Sequence, residues 1–301
     1  MKGIYYLYNS TVIFKALRNY PGFKSLFYKV DKVKTAGAMK ILDKVVTESG
    51  LKEKYSNIDI SNLNPTGNRV WMFWYTGFET APPLVKKCLE EAKKVKDIDL
   101  VLLDKNNLED YFTFESNIRE LFQNGSIPLV KLTNIMRTQL ITRHGGLWCD
   151  ATVYMPHKDI ISRIQDKPFY SVKHFMDWHF GKGRWTGFFT GGGIGNPITS
   201  FLYDTLVEYY KRYDWHFDYF QFDYTWLYAY THFVWAKQLI DSLPDGNPDI
   251  NYIQKNRNKP FNKEEWGLMI KDNEIQKLNW KAAKLPEDKT VETVGLHFMN
   301  I

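Results

Sequence analysis

Cysteine is nearly absent from this chain, with Cys88 and Cys149 the two present. That excludes a disulfide framework and any cysteine-rich zinc spacing, and it makes a reducing cytosol the expected compartment. No stretch of about 18 consecutive apolar residues occurs, so no transmembrane helix is expected. The N-terminus lacks a continuous apolar segment ending in small residues, so no cleavable signal peptide is expected either. The glycine cluster TGGGIGNP (190–197) is not followed by Lys-Ser/Thr, which excludes a phosphate-binding P-loop. Internal repeats and low-complexity tracts are missing as well.

What is present begins with 301 residues, enough for one large domain or two small ones with a sizeable core. The 44% apolar and 25% charged fractions are ordinary for a globular protein. The 16% of Phe, Trp and Tyr is high. Such rings either fill a core or stack on flat apolar faces of sugars, bases or lipid boundaries. The net charge of +6 is uneven: residues 1–54 hold eleven Lys and Arg against four Asp and Glu. Cations interleaved with Phe, Tyr, Leu and Val read as a segment lying on an anionic membrane surface, or as helices packed on the main domain. The expected organisation is a basic aromatic N-terminal region, 1–60, followed by one domain over 61–301. No nucleic-acid motif accompanies the basic end, so no nucleic-acid partner is expected.

Apolar periodicity gives a coarse map. RVWMFWY (69–75) reads as a buried strand, APPLVKKCLEEAKKV (81–95) as a helix with proline in its first turn, and IDLVLLD (98–104) as a second strand. LVKLTNIMRTQLITRHGG (129–146) reads as an amphipathic helix with Leu132, Ile135, Met136, Leu140 and Ile141 on one stripe and Gly145 as C-cap. LWCDATVYM (147–155) reads as a third strand. Later segments FYSVK and RWTGFFTGGGIGNP read as strands, ITSFLYDTLVEYYKRY and FDYTWLYAYTHFVWAKQLI as helices, and IQKLNWKAAKL as a late strand. The alternation implies an α/β fold with a mainly parallel sheet, whose ligands bind outside the carboxyl ends of its strands. Tyr75-Thr76-Gly77 and Asp150-Ala151-Thr152 both fall at or near such ends.

Asp150 is a carboxylate beside a small residue in an otherwise apolar stretch. It is a candidate ligand for a hard divalent ion such as Mg²⁺ or Mn²⁺, which prefer oxygen. Arg137 lies on the preceding helix, placed either to meet a phosphate or to lock helix to strand through a buried pair with Asp150. Asp223 is either a residue that faces the sugar or accepts from an acceptor hydroxyl, or the N-cap of the helix after it. The triple glycine lets backbone approach a donor sugar, or forms a flexible turn, or is a loop ordered only by substrate. His144 is expected to finish its helix. Neither cysteine has a nearby histidine, so cysteine catalysis is not expected.

The segment MRTQLITRHGGLWCDATVYM resembles the R…L…GG-x-W/Y-x-D block of DXD-type sugar transferases, and more closely the bacterial capsular polysaccharide synthesis family. VWMFWYTGFETAPPLVKKCLEEAKK is similar to that family's opening strand, turn and helix, and FQFDYTWLYAYTH and IQKLNWK resemble its later blocks. The resemblance runs from Val70 to Lys281. It implies a GT-A-type, Rossmann-like nucleotide-sugar-binding fold with a helical N-terminal extension. It further implies transfer of a sugar from a UDP- or GDP-sugar to a capsular, exopolysaccharide or other glycan acceptor, lipid-linked, with retention of anomeric configuration.

Carried over by position, Trp74, Tyr75, Thr76 and Gly77 would line the nucleotide pocket, and Arg137 would meet the donor. Asp150, with Ala151 and Thr152, would make the metal or ribose contact, and Mn²⁺ or Mg²⁺ would stabilise the leaving diphosphate. Two departures stand out: Thr152 occupies the place of a second aspartate, and Asn134 that of an aspartate three residues before Arg137. His297 is either a late metal ligand or a packing histidine. The expected site is cytoplasmic, peripheral on the inner face of an anionic membrane. The alternatives are a non-catalytic sugar-nucleotide-binding or scaffold protein of polysaccharide assembly, and a membrane-binding module centred on the basic N-terminus.

Overall fold

A computed structural model describes residues 22, 24–174, 176, 180–282 and 291–301. Residues 1–21 of the basic aromatic segment lie outside them. The described chain opens with helix α1 (Lys24–Glu48), closed by Gly50 at φ 72°, and a single turn, α2 (Leu51–Lys54). Strand β1 (Arg69–Phe73), helix α3 (Pro83–Lys93) and strand β2 (Asp99–Leu103) then form a β-α-β unit. Helices α4 (Ser116–Gln123) and α5 (Leu129–His144) lead into β3 (Gly146–Cys149), and β4 (Val153–Tyr154) follows after a turn. Next come α6 (Ile160–Ile164), β5 (Phe169–Ser171), β6 (Phe189–Gly192) and α7 (Pro197–Arg212). Helices α8 (Gln221–His232), α9 (Val234–Asp241), α10 (Tyr252–Asn256) and α11 (Lys263–Asp272), strand β7 (Gln276–Lys277) and helix α12 (Val294–Asn300) complete the chain.

The architecture is mixed α/β. The central sheet has the order β2-β1-β3-β6-β5. Strand β1 pairs in parallel with β2 and with β3, the latter in the register Val70↔Leu147 and Trp71↔Trp148. β6 runs antiparallel to both β3 and β5, so the sheet is mainly parallel with one reversed strand. Side chains alternate across it, as pleating requires. Trp71, Phe73 and Trp148 face one core, built with α1, α5, α7 and α8. Val70, Met72, Leu147 and Cys149 face the other, built with α3 and α6. A third cluster joins α3 to the late elements through Leu84, Tyr154, Trp266, Leu278 and Phe298.

The Gly145-Gly146 pair makes the helix-to-strand reversal. Gly146 has φ 101°, and a Cβ there would lie 2.7 Å from the Arg69 carbonyl, so β3 enters against β1 only without a side chain at that point.

Four expectations change. LWCDATVYM is not one strand: β3 ends at Cys149, and the Asp150 carbonyl accepts from the Val153 backbone N–H at 2.9 Å, closing a turn. The turn diverts the chain into a separate two-stranded sheet, where Val153 pairs with Lys277. The readings left open for the triple glycine narrow to close packing within the protein. A Cβ on Gly193 would fall 2.0 Å from the Asn64 carbonyl, so these glycines accommodate the protein's own backbone. The late strand shortens to Gln276–Lys277, and the long aromatic helix breaks at Phe233, whose φ −120° and ψ 120° are extended.

Helix α1 settles how residues 24–48 lie. Ala38, Leu42, Val45 and Val46 recur at helical spacing on one stripe and are all buried in the main core. This part of the basic segment is packed on the main domain. Among the described residues no helix is long and apolar enough to cross a membrane.

Because Leu42 is 1% exposed within the shared core, Leu42→Ala is expected to destabilise the whole chain by about 2–4 kcal/mol. The check is a urea melt followed by both tryptophan fluorescence and circular dichroism. One transition shifted to lower urea is expected; an unchanged main transition would mean that α1 is energetically separate.

Candidate functional site

The parallel pairing of β1 and β3 puts their carboxyl ends at one edge of the sheet. The turn Trp74–Gly77 follows β1, closed by the Gly77 N–H donating to the Trp74 carbonyl at 2.9 Å, and Gly77 has φ 85°. Thr76 hydrogen-bonds Thr80 at 2.8 Å, and Tyr75 packs edge-on against Phe73 and Phe122. The turn Asp150-Ala151-Thr152 follows β3. Ala151 is buried with the apolar layer beneath the turn.

Period-two alternation carries Asp150 onto the same face as Trp148, the face that α5 covers. The Trp148 indole N–H accordingly donates to Asp150 Oδ1 at 2.7 Å. Arg137 Nη2, from α5, stands 3.5 Å from the same oxygen. Its other donors point into the protein, Nε to the Thr133 carbonyl at 3.3 Å and Nη1 to the Gly187 carbonyl. The guanidinium lies near the rings of Trp148 and Phe222, 5.1 and 5.5 Å from their centroids. The sequence left open a donor-facing or a pair-forming Arg137. With its side chain 8% exposed, it is turned inward onto Asp150.

The third contact to Asp150 was not visible in the sequence. Lys277 Nζ donates to Asp150 Oδ2 at 2.8 Å and to Thr152 Oγ1 at 2.7 Å. The pairing of β7 with β4 delivers it, and Lys277 is 127 residues from Asp150 along the chain. Burial alone would push the Asp150 pKa up. Lys277, Arg137 and the two hydrogen bonds outweigh it and hold the carboxyl below its usual value. That lowered pKa keeps the carboxyl ionised at neutral pH, and the side chain keeps 26% exposure. Three residues beyond Lys277, Trp280 meets Trp74 edge-on at 5.8 Å between centroids. The late segment thus touches both turns. A cavity of about 220 Å³ opens beside Trp280, lined also by Pro82, Pro83, Arg257 and Leu278.

Asp223 is not the N-cap of α8; Phe220 holds that position and Asp223 is the third helical residue. Burial pushes its pKa up to about 6, against opposing pulls from a hydrogen bond to Trp185 and from Lys131 and Arg137. Arg137 thus lies close enough to both Asp150 and Asp223 for each to act on it electrostatically. Burial lowers its pKa while Asp150, Asp223 and Tyr219 act in the raising direction. Lys131 fixes the approach to α8 by donating to the Asp218 and Tyr219 carbonyls, each at 2.7 Å. Lys34 of α1 pairs with Asp218 at 2.5 Å, linking the first helix to this scaffold. Asn134 sits nearly one turn before Arg137 on α5, 9% exposed.

Other candidates separate from this group. His297 stacks on Phe261 at 3.6 Å between centroids and hydrogen-bonds Glu292, so of its two expected roles it takes packing. His144 ends α5, bonded to the Tyr111 carbonyl. Burial pushes the Cys88 thiol up to about 12 and also raises Cys149, leaving both protonated and poorly nucleophilic. The missed residues are Lys277, Trp280, Trp148 as a donor, and Lys131. A lone lysine in a short strand leaves no local pattern to detect it by.

The sequence profile of the family described as "Capsular polysaccharide synthesis protein" matches residues 24–295, and the chain belongs to that family. No curated protein sequence matches it. Among solved structures, "PaToxG Glycosyltransferase" is similar over 70% of this chain and 82% of its own, at 13% identity and a TM-score of 0.39.

Arg137→Met would leave the Gly187 carbonyl without this partner and Asp150 without its α5 counter-charge. The expected cost is about 3 kcal/mol, read as a lower urea midpoint at constant m-value. A variant as stable as wild type would mean that Arg137 does not hold the two elements together.

Proposed function

We propose that this member of the capsular polysaccharide synthesis family is a sugar transferase. It moves a sugar from a UDP- or GDP-linked donor to a growing capsular or exopolysaccharide chain or another glycan acceptor. The GT-A assignment and retention of configuration rest on the resemblance of the GG-x-W-x-D block. Peripheral attachment at an anionic membrane, in reach of a lipid-linked acceptor, rests on the charge surplus of residues 1–54.

One observation carries the reading: an ionised, part-exposed Asp150 at the carboxyl end of β3, braced from three directions beside the turn after β1. Ligands of such sheets bind at this edge. A carboxylate has about four lone-pair positions, and the protein supplies three contacts, which leaves Asp150 able to accept a hydroxyl of the donor's ribose or sugar. Trp74 to Gly77 then border the nucleotide. Arg137 is a positioning residue that orients Asp150. Asp223, close to Arg137, accepts the hydrogen bond of the incoming acceptor hydroxyl, orients it toward the anomeric carbon and takes up its proton.

The test is calorimetric titration of the full chain with a panel of UDP- and GDP-sugars, followed by transfer assays on glycan acceptors. Specific binding is expected, weakened at least about ten-fold in Asp150→Ala with a cooperative melt retained. If no donor binds, the transferase assignment fails; binding without turnover on any acceptor would favour the scaffold role.

The ionisation of Asp223 sets a pH dependence. Its carboxyl accepts a hydroxyl's hydrogen only when deprotonated, so turnover is expected to rise through an apparent pKa of about 6. Asp223→Asn should remove that limb of the profile; a variant with the wild-type profile would exclude the role.

A further inference from the structure

We propose that the Lys277 ammonium takes the place of a divalent cation at the donor's diphosphate, so that donor binding by this protein is independent of metal. This rests on the transferase reading and adds to it which group handles the phosphate charge.

The resemblance implies Mn²⁺ or Mg²⁺ at Asp150, but the residues present do not fit such an ion. Where a second carboxylate would complete the ligand set stands Thr152, a neutral hydroxyl. Both oxygens that would face the ion, Asp150 Oδ2 and Thr152 Oγ1, already share Lys277 Nζ at 2.8 and 2.7 Å. Asp150 Oδ1 accepts from Trp148 and faces Arg137. Mg²⁺ needs near-octahedral oxygen ligands at about 2.1 Å, and a dication admitted beside an ammonium would be repelled by it. Among the described residues no group of three or more His, Cys, Asp or Glu gathers to hold a metal. His297 is stacked against Phe261.

The same geometry fits Lys277 for the task. The lysine is held from both sides: its own N–H donates to the Ile250 carbonyl at 2.6 Å, and Leu278 N–H donates to the Thr152 carbonyl at 2.9 Å. An ammonium has three N–H donors, and the contacts to Asp150 and Thr152 use two. Nζ also stands 5.2 Å from the Phe188 ring centroid, and the side chain is 23% exposed, which leaves the third donor a route to solvent and ligand. Lys277 thus sets a fixed ammonium at the edge beside Asp150, where a phosphate oxygen could accept from it.

In the transfer, the bond between the anomeric carbon and the diphosphate oxygen breaks and its electron pair stays on that oxygen. The acceptor oxygen forms the new bond to the anomeric carbon, and its proton passes to the Asp223 carboxylate. Charge grows on the diphosphate as the bond breaks, and a fixed N–H donor beside it stabilises that change.

The experiment titrates full-length protein with UDP, GDP and uridine in EDTA and again in excess Mn²⁺, by calorimetry. Wild type is expected to bind the diphosphate with affinities that agree within about two-fold in the two conditions. Lys277→Met should weaken the diphosphate about 10- to 100-fold in both, leaving uridine affinity unchanged. A loss that includes uridine would make Lys277 structural and overturn the proposal, as would unchanged diphosphate binding. Lys277→Ala combined with Thr152→Asp should bind the diphosphate only with Mn²⁺, detected as protein-bound Mn²⁺ by electron paramagnetic resonance. Wild-type binding abolished by EDTA and restored by Mn²⁺ overturns the role of Lys277 and leaves the transferase reading standing. Wild type that binds no diphosphate in either condition overturns the transferase reading itself. Should Lys277→Met not fold, the comparison of wild type in EDTA and Mn²⁺ decides alone.

Discussion

The carboxylate of Asp150 is held by one residue from each of three elements. Trp148 reaches it along β3, Arg137 across the layer from α5, and Lys277 from β7. A carboxylate at the margin of a core is tolerated only while such partners remain. The requirement therefore works backwards onto the fold. It fixes the rotation of α5, the point at which β3 must stop, and the register of β7 on β4. The second layer repeats this logic: Lys131 and Lys34 secure the carbonyls and carboxylate of Asp218 and Tyr219, and so set where α8 presents Asp223.

Much of the scaffold was legible because its signals are local. β1, α3, β2 and α5 are each written in the periodicity of their own residues, and Gly145 marks the end of α5 where its φ of 68° requires it. Asp150 and Arg137 were singled out by residue type and spacing, and the structure brings them within 3.5 Å. What was hidden depends on distance along the chain. LWCDATVYM looks continuous because β3 and β4 on either side of the short turn are apolar, and only the pairing of Val153 with Lys277 shows that the chain has changed sheets. Lys277 itself is one cation among forty Lys and Arg until that pairing is known.

The aromatic richness divides the same way. Most rings are core: Trp185 stacks on Trp226, Phe201 on Tyr228, and Trp71, Trp148 and Tyr224 are buried. Bulky planar side chains fill the space between the sheet and helices of differing tilt with few rotamers to fix. Trp74 and Trp280 differ in meeting at the sheet edge, from turns more than two hundred residues apart. Composition registers all of these rings alike; position separates the few that border a site from the many that build the wall behind it.

The separation of 127 residues between Asp150 and Lys277 also orders events during synthesis. Chains emerge from the ribosome N-terminus first, and their early parts begin to fold before the late ones exist. The β1–α3–β2 unit, α5 and β3 can assemble around Trp148 and Arg137 while β7 is still unmade. In that interval the Asp150–Thr152 turn has no strand beside β4 and no ammonium over its oxygens. The edge at Asp150 is thus completed only after residue 277 is made, and a chain interrupted before Lys277 carries the scaffold without the ammonium that joins Asp150 to Thr152.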